Sequence, residues 1–587
     1  MTHISARRII DIPVVRDHEG VLMKRKIRVL SVCFALTVSL AFFIAAPTTS
    51  VAANPVNITG ATNVAAIQTE IQDEINAFAV GGGTVEVIGT FTGADDTLEF
   101  YIPDGVKVIW YADYAGAAED LIYVRGSGAG VFEVADGVIL NAYSSASTTA
   151  TAINTDNVSL LVTGSDVRVE ATGTGGAAIY SGSDEAWILD GTLTSSGDGS
   201  YTLFSYAGDL HISGNATVVS NGLNSIAVYN RVGDIYLESG GRVISTGNDS
   251  YAIRTDESGV IWVTGGGISV YGERSFGIYS QTGLVFLDCQ VYGGLILVAS
   301  NDSKAVYSHS GGIVVEYIEI AISGDRCLGI LTDYAMLSMN GGTILATGVG
   351  SRGVHVNYGA AYLRDVKIYV TGDSGTGIEI FNGYAELTGS TRIDTPGSNS
   401  VAVQITGSGS AMVVTQQSFI SATASDSYAL RVAPMGSGAI VYLEGVANGA
   451  IEVAGDYGII IEVDTLDVPG DRHGTSVGLT PVAIGIETID IVDYYWDTEN
   501  YPSGPPVVPP FAIILVEDVF PGNNYMYYWS IVVAADATQG TNPGAVPAST
   551  TTPATGDNLF GNVVFALLAS ALLGGASLTF RRLRRQD

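Results

Sequence analysis

The sequence predicts an all-β fold, a parallel β-helix of stacked coils, with a capping helix at its N-terminal end and a transmembrane helix near its C-terminus. Three observations carry this prediction: a repeat of nearly constant length, apolar residues spaced two apart within each repeat, and 73 glycines against 17 prolines in 587 residues. Many glycines with few prolines indicate tight turns between short strands rather than a disordered chain.

The repeat begins with a small residue followed by an aliphatic one, and it recurs at steps of 24 to 29 residues, most often 24 or 25. Within a repeat, the spacing of two, as at Ile235 and Leu237, is that of a strand with one buried face. One coil cannot bury its own apolar face, so neighbouring coils must share a core. We therefore place the β-helix at residues 81–465. The aliphatic column is Ile153, Ile179, Leu203, Val228, Ile253, Ile278, Val306, Ile330, Val354, Ile378, Val403, Leu430 and Ile459.

Residues 54–80 contain Ile67, Ile71 and Ile75 at helical spacing, which predicts a helix that covers the first coil. Gly81-Gly82-Gly83-Thr84-Val85 follows as a first strand. This order resembles the pectate-lyase-like right-handed parallel β-helix superfamily over roughly residues 80–465, and the resemblance implies a right-handed coil. Residues 466–534 are predicted to form a C-terminal β cap or small domain.

The first 53 residues have the composition of a secretory signal peptide. A basic cluster, Lys24–Arg28, precedes an apolar run over residues 29–46, and Ala52 and Ala53 end a small-residue cleavage site. Met23 stands directly before the cluster and is the expected translation start. The segment therefore predicts export, with an uncleaved membrane anchor as the alternative.

The last segment, residues 553–587, has an apolar stretch over 559–580 followed by a basic tail. Its length suits one bilayer crossing, and cationic residues after it favour the cytoplasmic side. A Thr/Pro/Ala-rich stretch at 535–552 precedes it and is typical of a flexible stalk.

Together with Pro553-Ala554-Thr555-Gly556, this order resembles the sorting signal of sortase-anchored Gram-positive surface proteins. The resemblance implies that a membrane transpeptidase cleaves between Thr555 and Gly556 and joins Thr555 to the cell wall, with Pro553 shaping the peptide. Thr552 stands where the family has Leu. A plain membrane anchor is the alternative, and either case predicts display on the extracellular face of a Gram-positive-type bacterium.

The formal net charge of −33 argues against nucleic acid or an anionic membrane surface as the partner. Bound cations, a neutral glycan or a host-surface ligand are compatible with it. Cys33 lies in the leader, and Cys289 and Cys327 fall at different phases of the repeat, so neither a disulfide nor a cysteine metal site is expected.

Catalytic groups are sparse in the body of the chain. Lyases and hydrolases of the resembled superfamily use Arg or Lys beside calcium-binding carboxylates, or several Asp residues around a Gly-His-Gly, and neither set occurs here. No catalytic residue is therefore assigned, and a non-catalytic protein is favoured. A surface-anchored polysaccharide lyase or glycoside hydrolase remains the alternative, because coils distant in sequence can build a site.

One aromatic column suggests binding. Two positions after the small residue, strand alternation places the side chain on the outer face, where a row of rings could stack against sugars. Packing of one coil on the next is the alternative role. Later coils offer Leu331, His355, Glu379 and Gln404 instead, so the row is expected only in the first half. Its members are Tyr180, Phe204, Tyr229, Tyr279 and Tyr307, with Arg254 interrupting.

No cofactor is expected, and calcium is the alternative because aspartates recur near the turn before the marker strand. Ordinary turn chemistry explains the same residues, since Asp and Asn tolerate left-handed backbone geometry. The aspartates are Asp198, Asp249, Asp302, Asp325, Asp426 and Asp456.

Overall fold

The structure is a computed structural model. It describes residues 55–144, 150–182, 184–406 and 410–415, and then shorter stretches at 418–422, 424, 427–433, 440–444, 451–453, 459–461, 512–514 and 531–534. The described chain forms a right-handed parallel β-solenoid of about 13 turns with coils of ~25 residues. Three sheets, named A, B and C, form the faces of the solenoid. Every coil contributes one strand to sheet C, then one to sheet A and one to sheet B, and the chain then returns to sheet C in the next coil.

Sheet C contains the predicted marker column, and its aliphatic residues pair in register from Ile153 to Ile459, which confirms the repeat alignment. Ile153, Ile253 and Ile378 are fully buried. The strands of sheet C are Leu98–Ile102, Asp120–Gly126, Thr151–Asp156, Ala177–Ser181, Tyr201–Ser205, Ile226–Asn230, Tyr251–Thr255, Phe276–Ser280, Lys304–Ser308, Leu328–Asp333, Arg352–Asn357, Thr376–Phe381, Val401–Thr406, Tyr428–Ala433 and Ile459–Ile461.

Sheet A follows sheet C in each coil, and its two last strands pair antiparallel with each other. Its strands are Val56–Asn57, Gly83–Ile88, Val106–Trp110, Val131–Val134, Ser159–Val162, Ala186–Ile188, Leu210–Ile212, Ile235–Leu237, Ile261–Val263, Val285–Asp288, Gly312–Glu316, Met336–Asn340, Ala360–Arg364, Tyr384–Thr388, Ala411–Thr415, Ile440–Glu444, Ala512–Ile514 and Ile531–Ala534.

Sheet B completes each coil and is parallel throughout. Its strands are Thr90–Ala94, Asp113–Gly116, Val138–Asn141, Arg168–Ala171, Thr192–Ser195, Thr217–Ser220, Arg242–Ser245, Gly266–Val270, Gly294–Val298, Glu319–Ile322, Thr343–Ala346, Lys367–Val370, Arg392–Thr395, Phe419–Ala422 and Ile451–Val453.

The predicted capping helix is α1, Val64–Phe78, and the side chain of Asn63 caps it by accepting a hydrogen bond from the Ala66 amide. Ile67, Ile71 and Ile75 are fully buried against the first coils, as expected. Gln72 on the same helix receives the Tyr101 amide proton at 2.8 Å and donates to the Tyr101 carbonyl at 3.2 Å. The helix thus satisfies backbone groups of the first strand of sheet C, which would otherwise be an open edge.

A column of buried hydroxyls lines the corner that leads into sheet C. The Ser225 amide donates to the Ser250 hydroxyl, the Ser250 amide to Ser275, and the Ser275 amide to Ser303, each at 3.0 Å. Cys327 continues this column, since its Sγ accepts the Ser303 amide proton at 3.4 Å. These bonds satisfy buried amides from one coil to the next.

Cys327 and Cys289 are both buried free thiols, as their different phases in the repeat predicted. Burial raises the pKa of Cys327 to about 11 and that of Cys289 to about 12. Among the described residues, no helix combines the length and the apolar character needed to cross a bilayer. The predicted transmembrane helix at 559–580 and the signal peptide at 1–53 lie outside the described residues.

Candidate binding surface

The predicted aromatic column lies on the outer face of sheet C. Tyr180, Phe204, Tyr229, Tyr279 and Tyr307 occupy the same register position in successive coils, with Arg254 between the third and fourth rings. All five are partly exposed, while the aliphatic residue before each of them is fully buried. Strand alternation therefore places the column as the sequence predicted.

The rings of this column contact one another directly. Phe204 and Tyr229 stack with their centroids 5.1 Å apart and their planes at 20°. Tyr180 meets Phe204 at 4.8 Å and 77°, and Tyr279 meets Tyr307 at 5.2 Å and 47°. These distances are within the range of favourable aromatic pairs, so each coil stabilises the next. The predicted coil-to-coil packing role is therefore present.

Arg254 continues the column rather than interrupting it. Its guanidinium lies 5.9 Å from the ring centre of Tyr229 and 5.3 Å from that of Tyr279. Nε and Nη2 both donate to the carboxylate of Asp256, at 2.8 and 3.0 Å. A guanidinium held in this way between two rings makes cation–π contacts to both.

A second column of rings beside the first was missed by the sequence reasoning. Tyr201, Tyr251 and Phe276 stand at the start of their strands, and Tyr251 and Phe276 stack at 5.0 Å and 9°. Tyr201 lies 5.3 Å from Phe204. Lys304 follows in the same column, with Nζ 4.4 Å from the Phe276 ring centre. We call the two columns together, from Tyr180 to Tyr307, the aromatic platform.

Hydrogen bonds fix the orientation of the platform's tyrosines. The Tyr229 hydroxyl donates to Asp256 at 3.0 Å, and the Tyr307 hydroxyl donates to Asp333 at 2.8 Å. Burial and the Asp256 carboxylate raise the pKa of Tyr229 to about 12, and the pKa of Tyr307 is raised by burial and Asp333. The hydroxyls therefore remain protonated donors at neutral pH. A ligand would meet rings that are already ordered, which lowers the entropic cost of binding.

Sheet A has its own ladder of rings in the same coils, which the sequence reasoning also missed. His211 lies parallel between Trp187, at 3.6 Å, and Tyr236, at 4.5 Å. Trp262 and Phe286 extend the ladder at 6.3 Å and 4.7 Å. Burial lowers the pKa of His211 to about 4, so its ring is neutral at physiological pH. We call these five residues the sheet A ladder.

Polar groups meet in the later coils of sheet C. His355 Nδ1 lies 2.8 Å from Glu379 Oε2, and Arg352 Nε lies 3.0 Å from the same oxygen. Burial favours the neutral form of Glu379, but the His355 hydrogen bond and the Arg352 charge outweigh it and hold the pKa below its usual range. Glu379 is thus an ionised carboxylate between two donors, which suits an ion pair better than a general acid.

The recurring aspartates use their oxygens in turns. Asp198 accepts the Leu223 amide proton and Asp325 accepts that of Val349, each at 2.9 Å. Asp249 pairs with Arg274, with shortest contact 2.6 Å. Asp302 pairs in the same way with Arg326, while Asp426 and Asp456 lie outside the described residues. Within the part of the chain that the structure describes, no three His, Cys, Asp or Glu side chains form a metal-binding group.

The cleavage residues predicted from the two ends, Ala52, Ala53, Pro553, Thr555 and Gly556, lie outside the described residues. Comparison of the chain with protein-family models, curated proteins and solved structures finds no match. The candidate site therefore depends on the geometry of the aromatic platform.

Proposed function

We propose that this protein is a non-catalytic, surface-displayed β-helix whose aromatic platform contacts a glycan on a neighbouring surface, which is an adhesin-like role. The observation that carries the proposal is the continuity of the platform. Rings or a ring-bound guanidinium occupy the outer face of sheet C in every coil from Tyr180 to Tyr307. A contiguous surface of partly exposed aromatic rings over several coils is a feature of binding sites.

The chemistry of the platform suits a sugar. Tyrosine rings offer apolar surface together with hydroxyl groups, which matches the apolar faces and hydroxyls of a pyranose. The net charge of −33 disfavours a polyanionic partner. Position outside the cell is proposed from the signal-like first 53 residues and from the sorting-like segment at 553–587. A sortase-type transpeptidase and the cell wall would then be its anchoring partners. Before the transpeptidase cleaves the chain, the segment at 553–587 would hold it in the membrane.

A glycan-array screen of the purified full-length chain tests the proposal. The double variant Tyr229→Ala, Tyr279→Ala removes two rings of the platform, and Tyr236→Ala removes one half-buried ring of the sheet A ladder as a matched control. We expect the wild type and the control to bind the same glycans, and the platform variant to lose at least ten-fold in affinity. If no glycan binds, or if both variants bind equally, the proposed function is wrong.

A further inference from the structure

The line of rings does not end at Tyr307. Where sheet C turns into sheet A, four further rings contact one another along the corner. His309 meets Tyr334 at 5.9 Å and 76°, Tyr334 stacks on Tyr358 at 5.1 Å and 9°, and Tyr358 meets Phe381 at 5.7 Å and 85°. We call His309, Tyr334, Tyr358 and Phe381 the corner row.

The corner row adjoins the platform through shared hydrogen bonds. Asp333 accepts the hydroxyl of Tyr307, the last ring of the platform, and Asn357 donates to the other oxygen of Asp333 at 2.8 Å. His309 Nδ1 also lies 3.2 Å from the Tyr307 hydroxyl. Asp333 and Asn357 directly precede Tyr334 and Tyr358 in sequence. Platform and corner row are therefore one connected surface, flanked by carboxylate, amide and imidazole groups.

The backbone at the two corner tyrosines is unusual. Tyr334 and Tyr358 have φ angles of 52° and 55°, in the left-handed region that bulky residues rarely adopt. Two other coils have asparagine at the same corner, Asn157 and Asn382, with φ of 54° and 49°. Asparagine adopts this conformation easily. The chain thus keeps rings at a position where its own repeat shows a less strained choice.

These rings are also accessible. Tyr334 is 62% exposed and Tyr358 is 48% exposed. A single line of side chains along a corner is too narrow for a stable protein interface, which needs roughly 800 Å² on each partner. It suits a linear molecule that runs along the stacked coils.

We propose that the platform and the corner row together bind one long, linear, uncharged glycan, which lies parallel to the solenoid axis. This inference rests on the proposed glycan contact and adds the ligand's length, direction and charge. These rings span nine coils, from Tyr180 to Phe381, with eight steps between the first and the last. At ~4.8 Å per coil the track is about 38 Å long. One coil rise is close to the length of one pyranose unit in an extended β-1,4-linked chain.

Calorimetry with cello- and chito-oligosaccharides, from disaccharide to octasaccharide, tests this on the full-length chain. We expect affinity to increase with chain length. The double variant Tyr334→Asn, Tyr358→Asn should bind the tetrasaccharide as the wild type does and lose at least ten-fold for the octasaccharide. Tyr317→Asn is the matched control, because Tyr317 is an exposed tyrosine at φ 56° on another corner, away from the row.

Three results would overturn the inference. The first is an octasaccharide affinity that is unchanged in the Tyr334→Asn, Tyr358→Asn variant, while the Tyr229→Ala, Tyr279→Ala variant still binds more weakly. The proposed glycan contact at the platform would then stand, but the corner row would not belong to the binding track. The second is an equal loss in the Tyr317→Asn control. The third is no binding of any oligosaccharide by the wild type, which also rejects the neutral-glycan form of the proposed function.

Discussion

The aromatic platform and the sheet A ladder run along the same coils on neighbouring sheets, and they differ in burial where the ladder begins. Trp187 and His211 of the ladder are 8% and 6% exposed, whereas the platform rings, like Tyr236, Trp262 and Phe286 further along the ladder, are partly exposed. Within the ladder the first three rings lie almost parallel, at 2° to one another, while the platform mixes stacked, tilted and edge-on pairs.

This difference in burial distinguishes two roles for a column of aromatic rings, which are the stacking of coils and the binding of a ligand. Rings that bury their faces against each other mainly stabilise coil stacking, since burial of apolar area is the larger part of their free energy. Rings that stay half-exposed contribute less to stability and remain available to a partner. The buried start of the sheet A ladder, Trp187 and His211, therefore fits a structural role, while the platform with the corner row keeps the exposure that the proposed binding role needs. The predictions that follow test this division.

Trp187→Ala should have the largest effect. The indole is buried, stacks on His211 at 3.6 Å and donates to Glu185 at 3.0 Å, so its removal loses a large stacked apolar area and one hydrogen bond. We expect the free energy of unfolding to fall by about 3 kcal/mol. Tyr279→Ala, in the half-buried platform, should cost about 1 kcal/mol. Urea denaturation followed by circular dichroism measures both, and equal losses would contradict the division of roles.

His211 should make stability depend on pH. Its folded-state pKa of about 4 lies below the unfolded value of 6.5, because burial disfavours the charged ring. The contribution of this neutral ring is therefore complete above pH 6.5 and is lost as pH falls toward 4. Between pH 7 and pH 5 the loss is about 2 kcal/mol.

The variant His211→Phe keeps a ring in the ladder and should remove this part of the pH dependence. Burial raises the pKa of Asp209 and of Glu238, and such groups act in the opposite direction, because the folded state then favours their protonated forms. Both remain in the variant, so the difference between the two unfolding curves isolates His211. If wild type and variant show the same pH dependence of the free energy of unfolding, protonation of His211 does not destabilise the folded state and the prediction is wrong.

The sequence predicted the repeat well because the step between coils is fixed by the fold. Once Ile153 and Ile179 were aligned, the register to Ile459 followed, and so did the outward position of Tyr180. The sheet A ladder has the same periodicity and stands seven or eight residues after the platform column, as Trp187 stands after Tyr180. It was missed because only the column of Tyr180 was followed, and because the imidazole of His211 separates Trp187 from Tyr236 in the ladder.

The contacts of the later coils were missed for a related reason. His355 is isolated in the sequence, yet its neighbours in a solenoid are the residues one coil away, and Glu379 is the next residue of the same column. The corner row is harder to predict, because the rings move from the strand at Tyr307 to the turn at Tyr334. Turn chemistry predicts glycine or asparagine there and not tyrosine.

Cys327 offers a smaller test of the inner columns. It occupies a position that serine fills in neighbouring coils, and its thiol donates to the Ser300 carbonyl at 2.8 Å. Cys327→Ala should lower the free energy of unfolding by about 1 kcal/mol, because the Ser303 amide loses its acceptor. Cys327→Ser, and the reciprocal Ser275→Cys, should each stay within about 0.5 kcal/mol of wild type. Thermal unfolding compares the three variants, and a serine variant as unstable as the alanine variant would show that size, not hydrogen bonding, matters here.

Tyr334→Asn should have the smallest effect on stability and is the sharpest test of the corner row. Relief of the left-handed strain adds about 1 kcal/mol, and loss of the stack on Tyr358 removes about 1 kcal/mol. The net change in the free energy of unfolding should therefore be close to zero, which urea denaturation can establish. A loss clearly larger than that would mean that the Tyr334 ring holds the coils together. The corner row would then belong with the sheet A ladder, and its exposure would have no connection with a ligand.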